Sequence, residues 1–157
     1  MNVSSIASIL ALLALGTPAI TQTVGGPPIA PAEAVQLAAA AAPDHGVQGS
    51  FLVTIKASGQ DKRRKKIYLN SEADYRDQRN LTVEIEQAAI SELEAKYGKD
   101  LKTYFLGKQI LVTGTARRVT IIFGKPRVSA VNGNLRNKYY FQTHLPVVSA
   151  DQIVLAP

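Results

Sequence analysis

The order of patterned segments in the second half of this chain restricts its possible folds more than any other feature. Phe51–Ala57 alternates, with Phe51, Val53, Ile55 and Ala57 on one face and Thr54 and Lys56 on the other, the period of a half-buried strand. Ser58, Gly59, Gln60 and Asp61 predict the turn that follows. Short strands are expected at Ile67–Asn70 and Asn80–Ile85. An amphipathic helix follows over Glu86–Tyr97, where Ile90, Leu93 and Tyr97 recur at helical spacing and Gly98 is placed to end it. A long strand, Lys108–Phe123, comes next. Gly114 falls inside it, where the missing side chain permits a sharp coil. Gly124–Lys138, with Asn132, Gly133 and Asn134, predicts a loop or flared hairpin. Tyr139–Leu155 is a last strand, with a break expected at Pro146 or around Ser149–Asp151.

Five strands with one helix between the third and the fourth follow the plan of the OB-fold, a small barrel that binds ligands on its strand face and rim loops. The expected fold is therefore mainly β, a five-stranded OB-fold-like barrel over residues 49–157 with one α-helix between strands three and four. A signal peptide and a flexible linker are expected to precede it. Ile6–Leu15 is an apolar run of signal-peptide length, and Thr17, Pro18 and Ala19 supply small residues for cleavage, giving a leader over 1–19. No Lys or Arg precedes that run, which departs from the usual pattern, and an uncleaved N-terminal helix is the alternative. Gly16 and Pro18 interrupt the run well short of the ~20 apolar residues of a membrane-spanning helix. Cleavage would leave no transmembrane anchor. Residues 20–48 read as a Pro/Ala-rich linker, in which Ala32–Ala42 can form a short helix. Its larger apolar anchors are only Val35 and Leu37, so a mobile or loosely docked helix is expected.

The phrase NSEADYRDQRNLTVEI (Asn70–Ile85), followed by GKQILVTGTARRV and later by SADQIVL (Ser149–Leu155), resembles a group of exported bacterial OB-fold-like domains of uncharacterised function. In those, an "LNSE-DYRD-NLTV" strand precedes the helix and a "GK-I-VTGT" strand follows it. The likeness covers roughly Gly49–Ala156. It implies a periplasmic or secreted domain and brings no catalytic residues. The basic segment from Gly124 to Lys138 is longer here than in that group, which puts any ligand site built on it in question.

Charge locates the candidate site. All 18 basic residues lie at or after Lys56, so the net charge of +6 belongs to the later part of the chain. Lys62, Arg63, Arg64, Lys65 and Lys66 form the densest run, between the first and second strands. Arg117 and Arg118, with Arg127, Arg136 and Lys138, can extend the same field, while Tyr68, Tyr139, Tyr140 and Phe141 lie near these cations in sequence. Flat rings beside Lys and Arg suit single-stranded nucleic acid, whose bases stack and whose phosphates pair. Tyr68 and Tyr140 are the expected stacking platforms. The same run also fits a solvated hairpin tip. For an exported protein, extracellular nucleic acid, acidic envelope polymers or anionic membrane surfaces are the matching partners.

Other chemistries find less in the residues. The chain has no cysteine, which removes disulfides and thiolate sites. Glu72, Asp74 and Asp77 surround Arg76 and Arg79. They offer oxygens for a hard cation, yet fit an ion-pair and turn-capping network better, because the spacing of an EF-hand is missing. Asp74, Asp77, Glu84, Arg79 and Arg117 do not reproduce the motif of staphylococcal-type nucleases. His45 and His144 have no acid or nucleophile placed by sequence to form a triad. Asn80-Leu81-Thr82 matches a glycosylation acceptor by coincidence. The expectation is a non-catalytic, cofactor-free exported binding module for a polyanion. Its alternatives are a structural or protein-interaction module of the cell envelope and, behind it, a metal-dependent nuclease.

Overall fold

Alternating apolar side chains along short extended segments bury one face of each and build a mainly β molecule. The computed structural model describes residues 26–41, 45–128 and 135–157, so the expected leader over 1–19 lies outside the described residues. Helix α1 (Pro31–Ala40) precedes strands β1 (Val47–Thr54), β2 (Ala57–Asp61), β3 (Lys66–Asn70) and β4 (Leu81–Ile85). Helices α2 (Gln87–Tyr97) and α3 (Leu101–Phe105) follow, then β5 (Gln109–Val128), β6 (Leu135–Val147), a 3-10 turn at Ala150–Gln152, and β7 (Ile153–Leu155). The strands form one open seven-stranded sheet in the order β1-β5-β6-β4-β3-β2, with β7 added on β5. Every pairing is antiparallel except that of β4 with β6.

The closed five-stranded barrel is thus not what the ladders form, and the reason lies at Ile55 and Lys56. Up to Ile55 the chain is bonded to the start of β5: Ile55 N–H donates to the Lys108 carbonyl at 2.9 Å, and the Ile55 carbonyl accepts from Gly107 N–H at 2.8 Å. From Lys56 onward the partner is β3, through Lys56 N–H to the Asn70 carbonyl at 2.9 Å. The single expected first strand is therefore two, β1 and β2. They stand at opposite ends of the hydrogen-bonded order and share no ladder.

Two further expectations are corrected. Ser58–Asp61 is strand, and the turn falls at Lys62–Lys65, with Lys65 at φ 53°. It is fixed by the Asp61 carboxylate, which accepts from Arg63 N–H at 2.9 Å and Arg64 N–H at 3.1 Å. The α2 helix is followed by a second one, α3, started by Asp100, whose carboxylate accepts from Thr103 N–H and hydroxyl at 3.3 and 2.6 Å. Gly124–Lys138, expected as a loop or flared hairpin, takes the hairpin form, since β5 and β6 stay paired to Val128 and Leu135 with one register shift between Phe123 and Arg127. Residues 129–134, with the predicted Asn132–Asn134 turn, lie outside the described residues. Of the two places expected for a break, Pro146 lies within β6 opposite Glu84, and the interruption falls around Ser149–Asp151, between Val147 and Ile153.

Helix α1 is also better held than expected. Ala34 and Ala38 are 0% and 3% exposed, whereas Leu37 is 41% exposed. Small side chains let the helix backbone approach the sheet closely, so anchoring needs no large residue. Just before it, Ile29 N–H donates to the Ser50 carbonyl at 2.8 Å and the Ile29 carbonyl accepts from Leu52 N–H at 3.1 Å. At Gly49 the missing side chain leaves room for Ile29, whose Cδ1 would lie 2.9 Å from a Cβ there. The core beneath joins Phe51, Val53 and Ile55 of the first strand region to Leu69, Leu81, Val83 and Ile110. Leu93 of α2 and Phe105 of α3 cover it.

Candidate binding groove

Because β3, β4 and β6 send Ile67, Leu69, Val83, Leu145 and Val147 into the core, their alternate residues stand on the other face. The register sets Tyr68 opposite Glu84, Thr82 opposite His144, and Ile121 of β5 opposite Tyr140. This face floors a groove of about 1620 Å³. Val35 and Ala39 of α1 line it, as do Arg64 from the β2–β3 turn, Tyr75 and Arg76 from the β3–β4 loop, and Arg118 and Phe123 from β5.

A continuous polar relay crosses the floor. Lys66 Nζ donates to Glu84 Oε1 and to Glu86 Oε1, both at 2.7 Å. The other Glu84 oxygen lies 2.9 Å from His144 Nδ1, and His144 Nε2 lies 2.9 Å from Gln142 Oε1. Gln142 Nε2 in turn donates to the Tyr75 carbonyl at 3.0 Å and the Tyr140 hydroxyl at 3.2 Å. Hydrogen bonds from His144 and then Lys66 hold the Glu84 carboxyl at about 2, against the opposing effect of burial. The two carboxylates raise Lys66, while burial raises the Tyr68 and Tyr140 phenols.

The loop between β3 and β4 is organised by Asn80, which is 2% exposed. Its carbonyl oxygen accepts from Glu72 N–H at 3.0 Å, and its amide donates to Asn70 Oδ1 at 3.1 Å and Thr82 Oγ1 at 2.9 Å. An amide so engaged and buried is closed to glycosylation in the folded chain. Around it Glu72 pairs with Lys56 at 2.8 Å, and Asp77 takes both the N–H and the guanidinium of Arg79. Asp74 accepts from Arg76 N–H at 2.9 Å. These are the ion pairs and turn caps expected of this segment. No group of three or more metal-ligating side chains converges among the described residues.

Of the cations and rings singled out by sequence, Arg64, Tyr68, Arg118, Tyr139, Tyr140 and Phe141 line the groove. Lys62, Arg63 and Lys65 are exposed on the neighbouring turn but do not line it. Lys66 lies outside the lining and is paired with the Glu84 and Glu86 carboxylates. Arg117 is exposed on β5 and stays outside the lining, whereas Arg118 lies 3.6 Å over the Phe141 ring. The Tyr140 ring meets Phe123 edge-on at 5.7 Å. The side chains of Arg127 and Arg136 lie outside the described ones. No protein-family model, curated protein or solved structure matches this chain.

The sequence reading missed the Glu84–His144 pair, Gln142 and Tyr75. Two signals for them were present. Tyr140, Gln142 and His144 alternate along one strand, and Glu84 stands between the apolar residues Val83 and Ile85, where a carboxylate needs a partner.

Proposed function

We propose that this chain is a non-catalytic, exported binding module whose groove takes an extended polyanion carrying flat units, with single-stranded nucleic acid as the best match. The observation that carries the reading is the meeting of Arg64, Arg76 and Arg118 with Tyr68, Tyr140 and Phe123 in one groove. Arginine stays charged and pairs with phosphate through a planar fork, while aromatic faces stack bases without regard to sequence. An OB-like plan supports it too. We read the order β1-β5-β6-β4-β3-β2, whose ends are joined through Ile55 and Lys56, as that plan with β1 and β2 as one bent strand, left open between them. The resemblance of the Asn70–Ile85 phrase to exported bacterial OB-fold-like domains, together with the apolar Ile6–Leu15 run, supports a periplasmic or secreted address.

A second reading is a protein-interaction module of the envelope. It is favoured by Ile122, Tyr139 and Phe141, which are 63%, 60% and 44% exposed on the β5–β6 ribbon. The nuclease reading gains nothing, because Glu72, Asp74 and Asp77 are taken by Lys56, Arg76 and Arg79.

Fluorescence anisotropy with a labelled oligothymidylate of about 15 nucleotides separates these readings. Binding is expected to weaken with salt, with a log–log slope of about −2 if the three groove arginines each neutralise one phosphate. Tyr68→Ala and Tyr140→Ala are each expected to cost about 1–3 kcal/mol. Binding that is indifferent to salt and to Arg64→Ala plus Arg118→Ala would contradict the proposal and favour protein docking.

A further inference from the structure

We infer that His144, in its doubly protonated form, is a positioning residue for the groove: through Gln142 it holds Tyr140 and the Tyr75–Arg76 segment in place, so anion capture is favoured by acid. The inference rests on the polyanion reading above for its ligand, but its geometry stands alone. The Tyr75 carbonyl can only accept, so the Gln142 amide must turn its Nε2 toward it, at 3.0 Å. That turn leaves Gln142 Oε1 facing His144 Nε2 at 2.9 Å, and an amide oxygen also only accepts. Nε2 therefore carries a hydrogen. On the other side Nδ1 meets Glu84 Oε2 at 2.9 Å, and an ionised carboxylate only accepts. Nδ1 carries a hydrogen as well, and the ring in this arrangement is an imidazolium.

The neighbouring charges make the loss of that proton consequential. Lys66 and His144 balance Glu84 and Glu86, so the floor is neutral with the ring charged and carries one net negative charge once it is not. A neutral ring also keeps only one donor. Either Gln142 turns over and sets its oxygen against the Tyr75 carbonyl, or Glu84 loses its imidazole partner. Each outcome weakens a site built for an anion.

The other groups facing the ring do not titrate alongside it. Arg117 is its cross-strand neighbour on β5, and Arg64, Arg76 and Arg118 line the same groove; arginines stay charged throughout. The Tyr68 ring lies 6.2 Å away on β3, and Tyr140 lies beyond Gln142 on the same strand. Both phenols are raised above their ordinary value by burial, and Lys66 is raised by its two carboxylates.

The test follows oligothymidylate anisotropy from about pH 5.5 to about pH 8.5, the span in which histidines change charge, together with imidazole and backbone NMR of the free protein. Affinity is expected to fall roughly tenfold as pH rises, with His144→Gln flattening the profile and His45→Gln leaving it steep. At acid pH the His144 ring should show two N–H groups, and the Tyr75 and Arg76 amide signals should move with its midpoint. A His144→Gln protein as pH-sensitive as the wild type overturns the inference. So does a loop that stays fixed while the ring titrates. If no oligonucleotide binds at any pH, the polyanion reading fails, and the ring and loop spectra alone decide the role of His144.

Discussion

Glu84 shows how one side chain can join the core to the groove. Its neighbours Val83 and Ile85 are fully buried, while its own oxygens reach Lys66 and His144 on the opposite face of β4. Its carboxyl is held at about 2, below its ordinary value of 4.5, so folding favours the ionised form. That contribution is present above about pH 4.5 and is lost as pH falls toward 2; it is on the order of 2–3 kcal/mol. Urea unfolding between about pH 5 and about pH 2.5 should therefore show the wild type losing stability more steeply than Glu84→Gln. Parallel curves for the two proteins would remove Glu84 from the relay. At this scale the sequence was informative about type and silent about pairing. Tyr68, Tyr140 and Arg118 were legible as a ring-and-cation set. The carboxylate for His144 lies 60 residues away, and only the parallel register of β4 with β6 brings it there.

Among the elements, α1 and the β1–β2 junction show what periodicity can and cannot reveal. Alternation located the buried residues Phe51, Val53 and Ile55, and helical spacing located α2. Neither pattern carries partner identity, so the change of ladder at Ile55–Lys56 and the early turn at Ser58–Asp61 were misread. The anchoring of α1 was missed for a related reason: its contact is made by Ala34 and Ala38, and small residues leave no amphipathic signature. If close approach is what holds α1, Ala34→Leu should overpack the site and cost about 1–3 kcal/mol in thermal or urea unfolding. Leu37→Ala, at a largely exposed position, should change stability by less than about 0.5 kcal/mol. Equal effects of the two substitutions would mean that α1 is only loosely docked after all.

For the whole molecule, the sheet divides labour between its faces. One side packs with α2 and α3 over a continuous core. The other carries Tyr68, Glu84, Tyr140 and His144 of β3, β4 and β6, and the groove over it is also lined by Arg64, Arg76 and Arg118. The charge asymmetry of the sequence located the cations, and the fold brings Arg64 of the Lys62–Lys66 run into the groove lining, with Lys62, Arg63 and Lys65 exposed on the adjoining turn. The most direct measurement of the central claim is a backbone NMR titration of the protein with oligothymidylate. The shifts should concentrate at Tyr68, Tyr75–Arg76, Arg118 and Tyr140–His144, leaving Gln87–Phe105 unmoved. Shifts centred on Gln87–Phe105, or spread evenly over the surface, would contradict the assignment of this groove as the recognition face.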